Sequence, residues 1–155
     1  MSDTHVPDRQ PRIPPRILQG IQGVDMIIHA GDLTAISVLD ELEKIAPVHA
    51  VYGNMDSWEV KSSLNSVMTL SILGKTIVIM HGVDPHSATE EAARTRYPEA
   101  DCVVFGHTHK SYCDYEGNSL IFNPGSACGM LWLRPSYGIL VVREGERVEG
   151  EVIEV

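Results

Sequence analysis

Three apolar runs in this chain each end on a glycine followed at once by a side chain able to ligate a metal. This repetition constrains the fold more than any other feature. The three are His29-Ala30-Gly31-Asp32, Val51-Tyr52-Gly53-Asn54 and Val104-Phe105-Gly106-His107. His81 follows the same logic after Ile77-Val78-Ile79-Met80. A short apolar run closed by a turn residue reads as a buried strand. The C-terminal ends of strands in one sheet lie along one edge, so the loops leaving that edge can converge on a common site. Glycine ahead of the ligand permits a sharp turn and close backbone approach.

The rest of the chain fills in around these runs. Residues 15–21 predict a short helix with proline in its first turn, where a missing N–H costs little. Val24 to Ala30 and Val48 to Tyr52 predict strands. Between them, Ile36, Leu39, Leu42 and Ile45 form one helical stripe over Thr34–Ile45, with Thr34 placed as N-cap. Val67–Ile72 and Lys75–Met80 predict two strands joined at Gly74. His86–Tyr97 predicts a helix and Asp101–Phe105 a buried strand. Lys110–Tyr115 with Ser119–Phe122, and Tyr137–Arg143 with Arg147–Val155, predict hairpins. Strand–helix alternation followed by hairpins points to an α/β domain of two packed sheets with helices outside.

The length of 155 residues fits a single domain over 1–155, and 43% hydrophobic residues suffice for a core. The formal charge of −9, from 21 acidic and 12 basic residues, argues against nucleic acid as a partner. It does not oppose a small phosphorylated substrate, because local metal charge dominates such a site. Cys102, Cys113 and Cys128 have no CxxC spacing and read as reduced thiols in or near the core. No apolar stretch approaches the ~18 residues of a membrane span, and the N-terminal segment is unlike a signal peptide. The cytoplasm is the expected compartment.

Five short motifs carry the chemistry. The ligand candidates in Asp3-Thr4-His5, Gly31-Asp32, Gly53-Asn54-Met55-Asp56, His81-Gly82 and Gly106-His107-Thr108-His109 are two carboxylates (Asp3, Asp32), one carboxamide (Asn54) and four imidazoles (His5, His81, His107, His109). Such a set suits two neighbouring divalent ions, a device for phosphoryl chemistry. Asp32 is the bridging candidate, since one carboxylate can hold two cations. Singly each motif is weak: Gly-Asp is common, Gly-Asn-x-Asp is usually a turn, and a lone His is usually structural. Their ordered combination is the signal. His29, His49 and His86 read as packing or surface residues. Trp58 either flanks a substrate opening or anchors a loop to the core. Asn123-Pro124-Gly125-Ser126 is a turn, either structural or beside the site.

With these residues in view, the chain resembles the calcineurin-like metallophosphoesterases, in particular their small bacterial and archaeal phosphodiesterase branch, whose fold Vps29 shares. The matching segments are Ser2-Asp3-Thr4-His5, His29-Ala30-Gly31-Asp32, Tyr52-Gly53-Asn54-Met55-Asp56, His81-Gly82, Gly106-His107-Thr108-His109-Lys110 and Asn123-Pro124-Gly125-Ser126. The resemblance implies a four-layer αββα sandwich. It implies one ion held by Asp3, His5, Asp32 and His109, and a second held by Asp32, Asn54, His81 and His107. Asp32, Asn54 and His81 are the implied catalytic centre, with Asn54 also orienting the substrate phosphate. The implied reaction is hydrolysis of a phosphodiester, or of a phosphomonoester, by a hydroxide between the two ions. Mn²⁺ is the first choice of metal, and Fe²⁺, Ni²⁺ and Zn²⁺ also suit the set. The alternative is a protein-interaction module of the same fold with little or no activity.

Two departures stand out. Met55 takes the place of a His that helps protonate the leaving group in many larger relatives. Only Met1 precedes Ser2, where relatives have an apolar first strand. The expectation is therefore a missing first strand, with Asp3 and His5 poorly held and their ion weak or absent. Leu131-Trp132-Leu133 and the final strand offer either a core role or a homodimer contact.

Overall fold

The computed structural model describes residues 1–82, 90–130 and 132–155. The expected helix start at His86, and Leu131, lie outside the described residues. In chain order the elements are α1 (Pro15–Gly20), β1 (Ile27–Ala30), α2 (Ser37–Leu42), β2 (Val48–Val51), α3 (Trp58–Ser63), β3 (Val67–Ile72), β4 (Lys75–Met80), α4 (Glu90–Arg96), β5 (Cys102–Val104), β6 (Tyr112–Glu116), β7 (Ser119–Asn123), β8 (Ser136–Val141) and β9 (Glu149–Glu154).

The largest sheet has the order β3-β4-β5-β7-β6, with β4, β5 and β7 parallel and the two edge strands antiparallel. β1 pairs with β2 in parallel, and β8 with β9 antiparallel, as two separate two-stranded sheets. The buried residues define the layers. Ala30 and Val51 meet Ile77, Ile79, Cys102, Val104, Leu120 and Phe122 between the sheets. Ile17, Val38 and Leu42 bring α1 and α2 onto the other side of β1. Ala93 of α4 packs on Val78, Val103 and Ile121, the outer face of the large sheet. The result is the expected αββα order. Central parallel strands buried on both sides read as continuous apolar runs, which is why Ile77–Met80 and Cys102–Val104 lack alternation.

An apolar cavity of about 530 Å³ lies between β1 and β8, lined by Met1, Ile27, Ile28, Phe122, Tyr137 and Ile139 among others. Residues 1–6 form no regular strand, with only an isolated bridge from Val6 to Thr34. The consequence expected for Asp3 and His5 does not follow, however. The Met1 ammonium donates to Ile28 O at 2.7 Å, and Met1 O accepts from Ala30 N at 2.9 Å. Asp3 N donates to Gly31 O and His5 N to Asp32 O, both at 3.0 Å. From the other side, Ala127 N reaches Ser2 O at 2.9 Å and Cys128 N reaches Asp3 O at 3.2 Å. Residues 1–6 are all buried. Backbone hydrogen bonds from two loops hold Asp3 and His5 without a regular strand.

Two local expectations are corrected. Thr34 is not an N-cap: its φ is +76°, its hydroxyl donates to Val6 O at 2.6 Å, and α2 begins later without a side-chain cap. The buried Val6 carbonyl, which needs a donor, takes the hydroxyl that a cap would use. α3 was not anticipated. Ser57 caps it by accepting from Val60 N at 3.3 Å, and only Val60 of its residues is buried, so it shows no apolar stripe.

Candidate metal centre

The loops leaving β1, β2, β4 and β5 carry Asp32, Asn54, His81 and His107, and they converge with the 1–6 segment. Around Asp3 and His5, four ligand atoms face one another. His5 Nε2 lies 3.3 Å from His109 Nε2, 3.9 Å from Asp3 Oδ1 and 3.7 Å from Asp32 Oδ2, and His109 Nε2 lies 3.3 Å from Asp3 Oδ1. Next to them, His81 Nε2 sits 3.3 Å from Asp32 Oδ2 and 3.1 Å from Asn54 Oδ1, while His107 Nδ1 sits 2.8 Å from the same Asn54 oxygen. Asp32 Oδ2 belongs to both groups. All seven residues named from the sequence are brought together.

Backbone geometry confirms the tightness of the assembly. Asp3, His5, Asp32, His107 and His109 all have φ between 48° and 70°. Non-glycine residues seldom adopt this left-handed region, and clusters of such strain mark functional sites. Gly53 has no room for a side chain: a Cβ there would meet Asp32 Oδ1, with His81 Cδ2 at 2.6 Å and Asp32 N at 2.7 Å. Glycine before the ligand is thus a requirement of close packing.

Further polar contacts orient the ligands. His81 Nδ1 lies 2.7 Å from Ala30 O, so it carries a proton and directs Nε2 at the ligand cluster. Asp56 joins neither ligand group and accepts from Asp32 N at 3.1 Å, Thr34 N at 2.6 Å and Gly53 N at 2.6 Å. It ties the Asp32 loop to the Asn54 loop. Asn123 donates to Gly106 O and Thr108 Oγ1, both at 3.1 Å, and Ser126 Oγ donates to Asp3 O at 3.1 Å. The Asn123–Ser126 turn therefore lies beside the site and supports it. His29 is fully buried with its Nε2 3.2 Å from Thr4 Oγ1, a packing residue as expected. Trp58 is 84% exposed, which removes the loop-anchor reading. Of the cysteines, Cys102 is buried, Cys128 partly buried and Cys113 exposed, so Cys113 departs from the expected core position.

The electrostatics call for a cation. Burial pushes the Asp3 carboxyl up to about 7, opposed by the charge on His81 and by the Ser2 hydroxyl. Burial also lowers His5, and lowers His109 to about 4 with the help of His5. Both rings are therefore neutral at pH 7 and present lone pairs. Burial works against a charged His81, but the Asp32 hydrogen bond and the charges of Asp3 and Asp32 outweigh it and raise that pKa. Asp32 is lowered: His81 and the Met55 N–H overcome its burial. Asp3 Oδ1 is buried without a hydrogen bond. Such an atom among lone pairs is costly unless a positive charge meets it. The donor set fits divalent ions.

The Calcineurin-like phosphoesterase superfamily domain matches residues 1–145. The chain belongs to the calcineurin-like phosphoesterase superfamily. It is 33% identical over 159 residues to a probable metallophosphoesterase of Methanothermobacter thermautotrophicus, covering 99% of this chain and 89% of that one. It is 31% identical over 159 residues to a phosphodiesterase of Methanocaldococcus jannaschii, covering 94% and 93%. The fold matches the crystal structure of Chaetomium thermophilum Vps29 with a TM-score of 0.82 at 23% identity, over 99% of this chain and 94% of that one. Family membership carries phosphoesterase chemistry and divalent metal cofactors. Among the described residues, no helix is long and apolar enough to cross a membrane.

Proposed function

We propose that this protein hydrolyses phosphodiesters at a dinuclear centre, with one ion held by Asp3, His5, Asp32 and His109 and the other by Asp32, Asn54, His81 and His107. The observation that carries this reading is the shared Asp32 oxygen, 3.7 Å from His5 Nε2 and 3.3 Å from His81 Nε2. Two divalent ions bound there supply Lewis acidity and lower the pKa of a water molecule. The chain's own residues do the rest. Ala30 O fixes the His81 tautomer, and Met55 N donates to Asp32 Oδ1 at 2.8 Å and orients that carboxylate. Asn54 lies at the open side of the cluster, where its carboxamide can also orient a substrate phosphate. Met55, half exposed at this mouth, offers no proton to a leaving group. The substrates turned over best are therefore esters with good leaving groups. The phosphodiesterase relative supports the bond class. Assay of an activated aryl phosphodiester and the matching monoester, with Mn²⁺ and with chelator, tests the reading. Metal-dependent diester hydrolysis lost in Asp32→Ala supports it, and activity indifferent to chelator and to that substitution refutes it.

A second reading, an interaction module, is favoured by exposed apolar side chains. Trp132 is 95% exposed, with Met130 at 42% and Leu133 at 38%. A patch of this kind can dock a protein partner, including a second copy of the chain.

A further inference from the structure

The seven ligands leave one donor of a different kind unused. Cys128 Sγ and one ring nitrogen each of His5 and His109 all lie within 4.8 Å of one another. The loop that carries Cys128 is fixed on the metal-facing segment. Cys128 N donates to Asp3 O at 3.2 Å, and Ser126 Oγ, 3.3 Å from Cys128 Sγ, donates to the same carbonyl at 3.1 Å. Gly129, next in line, has φ +64°, and a Cβ there would come within 2.7 Å of Leu133 O. The thiol's other contact is Gly129 O at 2.9 Å. Independently of the cysteine, Asp3 Oδ1 in the same corner is fully buried without a hydrogen bond, 3.3 Å from His109 Nε2.

We propose that Cys128 is a thiolate ligand of the ion in the Asp3–His5–His109 corner, and that it makes this corner select Zn²⁺ over Mn²⁺. The inference rests on the dinuclear reading above. Its basis is ligand softness. A mixed carboxylate–imidazole set tolerates both Mn²⁺ and Zn²⁺, whereas a thiolate favours zinc strongly. On binding, the thiol passes its proton to solvent and the sulfur's electron pair goes to the ion, with no change of oxidation state. Among the described residues no cysteine joins the ligand group that contains His81, so the two corners differ in preference. One chain would then hold a zinc beside a harder ion.

Cobalt(II) titration of the metal-free protein tests this, because thiolate coordination gives a near-ultraviolet charge-transfer band that carboxylate and imidazole do not. The expected result is a band that saturates at one equivalent in the native chain and in Cys113→Ser, and is absent in Cys128→Ser. The serine variant should lose at least about tenfold in Zn²⁺ affinity, the scale on which perturbed metal sites respond, and change little for Mn²⁺. A native cobalt form without the band, or a band that survives in Cys128→Ser, overturns the proposal. If Cys128→Ser does not fold, alkylation of the native chain decides. Zn²⁺ should shield Cys128 but not Cys113, and Mn²⁺ should shield it far less; equal alkylation with and without zinc overturns the proposal. Elemental analysis separates the two levels of inference. Two bound ions without a thiolate band remove only the Cys128 assignment. No bound ion removes the dinuclear reading with it.

Discussion

Replacing Asp56 by alanine should be among the most damaging single changes outside the ligand set. The carboxylate is 5% exposed and accepts three backbone N–H groups, from Asp32, Thr34 and Gly53. Hydrogen bonds to a charged acceptor contribute about 1.5–3 kcal/mol each, and each buried N–H left unpaired costs about 1–3 kcal/mol. The three share one acceptor and are not additive, so the expected loss is on the order of 3–5 kcal/mol. Asp56→Asn keeps the shape and one acceptor oxygen. Directed at Asp32 N and Gly53 N, that oxygen preserves two bonds, and the amide NH₂ then faces the Thr34 N–H. The asparagine variant should lose about 1–3 kcal/mol, less than the alanine. Urea unfolding followed by circular dichroism reads both, and metal titration of the folded fraction should show weaker binding because the Asp32 and Asn54 loops are no longer tied. An Asp56→Ala loss below about 1 kcal/mol, or an asparagine variant worse than the alanine, would refute the account of this carboxylate as the clamp between loops.

Gly53→Ala should lower metal affinity by about 10–100-fold, since its Cβ displaces Asp32 and His81; isothermal titration with Mn²⁺ checks this, and unchanged affinity contradicts the crowding seen there. Burial holds the His29 pKa well below its ordinary 6.5, so below that pH the unfolded chain binds more protons than the folded one and stability falls as pH falls. Urea midpoints between pH 7.5 and 5 should drop more steeply for the native chain than for His29→Gln, and equal slopes would show that His29 is not the group responsible. Met55→His places a proton donor at the mouth of the site and should speed an alkyl phosphodiester by roughly tenfold while leaving an activated aryl ester nearly unchanged; equal effects on the two substrates would mean that leaving-group protonation is not what Met55 lacks.

Asp32, Asn54 and His107 were legible because each follows a glycine at a strand end, His81 because it closes an apolar run, and Asp3, His5 and His109 because they complete an ordered set of motifs. The central strands were legible as unbroken apolar runs, and the layer order followed from strand–helix alternation. What escaped was set by tertiary hydrogen bonding. Thr34 looks like an N-cap, yet the nearby Val6 carbonyl claims its hydroxyl. α3 escaped because a six-residue helix with one buried position has no period to detect, although Ser57 ahead of it is a usable cap signal. The clamp role of Asp56 depends on N–H groups of Asp32 and Thr34, 24 and 22 residues away, as well as on that of Gly53. The firm hold on Asp3 and His5 comes from Gly31, Asp32, Ala127 and Cys128, none of which a reading of residues 1–6 could supply. Cys128 lies outside every spacing that marks a metal site and comes near His5 and His109 only through the fold.

Metal content per chain tests the central claim most directly. After loading with excess divalent metal and desalting, elemental analysis should give two ions for the native chain, about one for a variant lacking Asn54 and His107, and a further fall when Asp32 is removed. A native chain that retains one ion or none, or an Asp32→Ala variant that still holds two, would contradict the shared-carboxylate dinuclear centre.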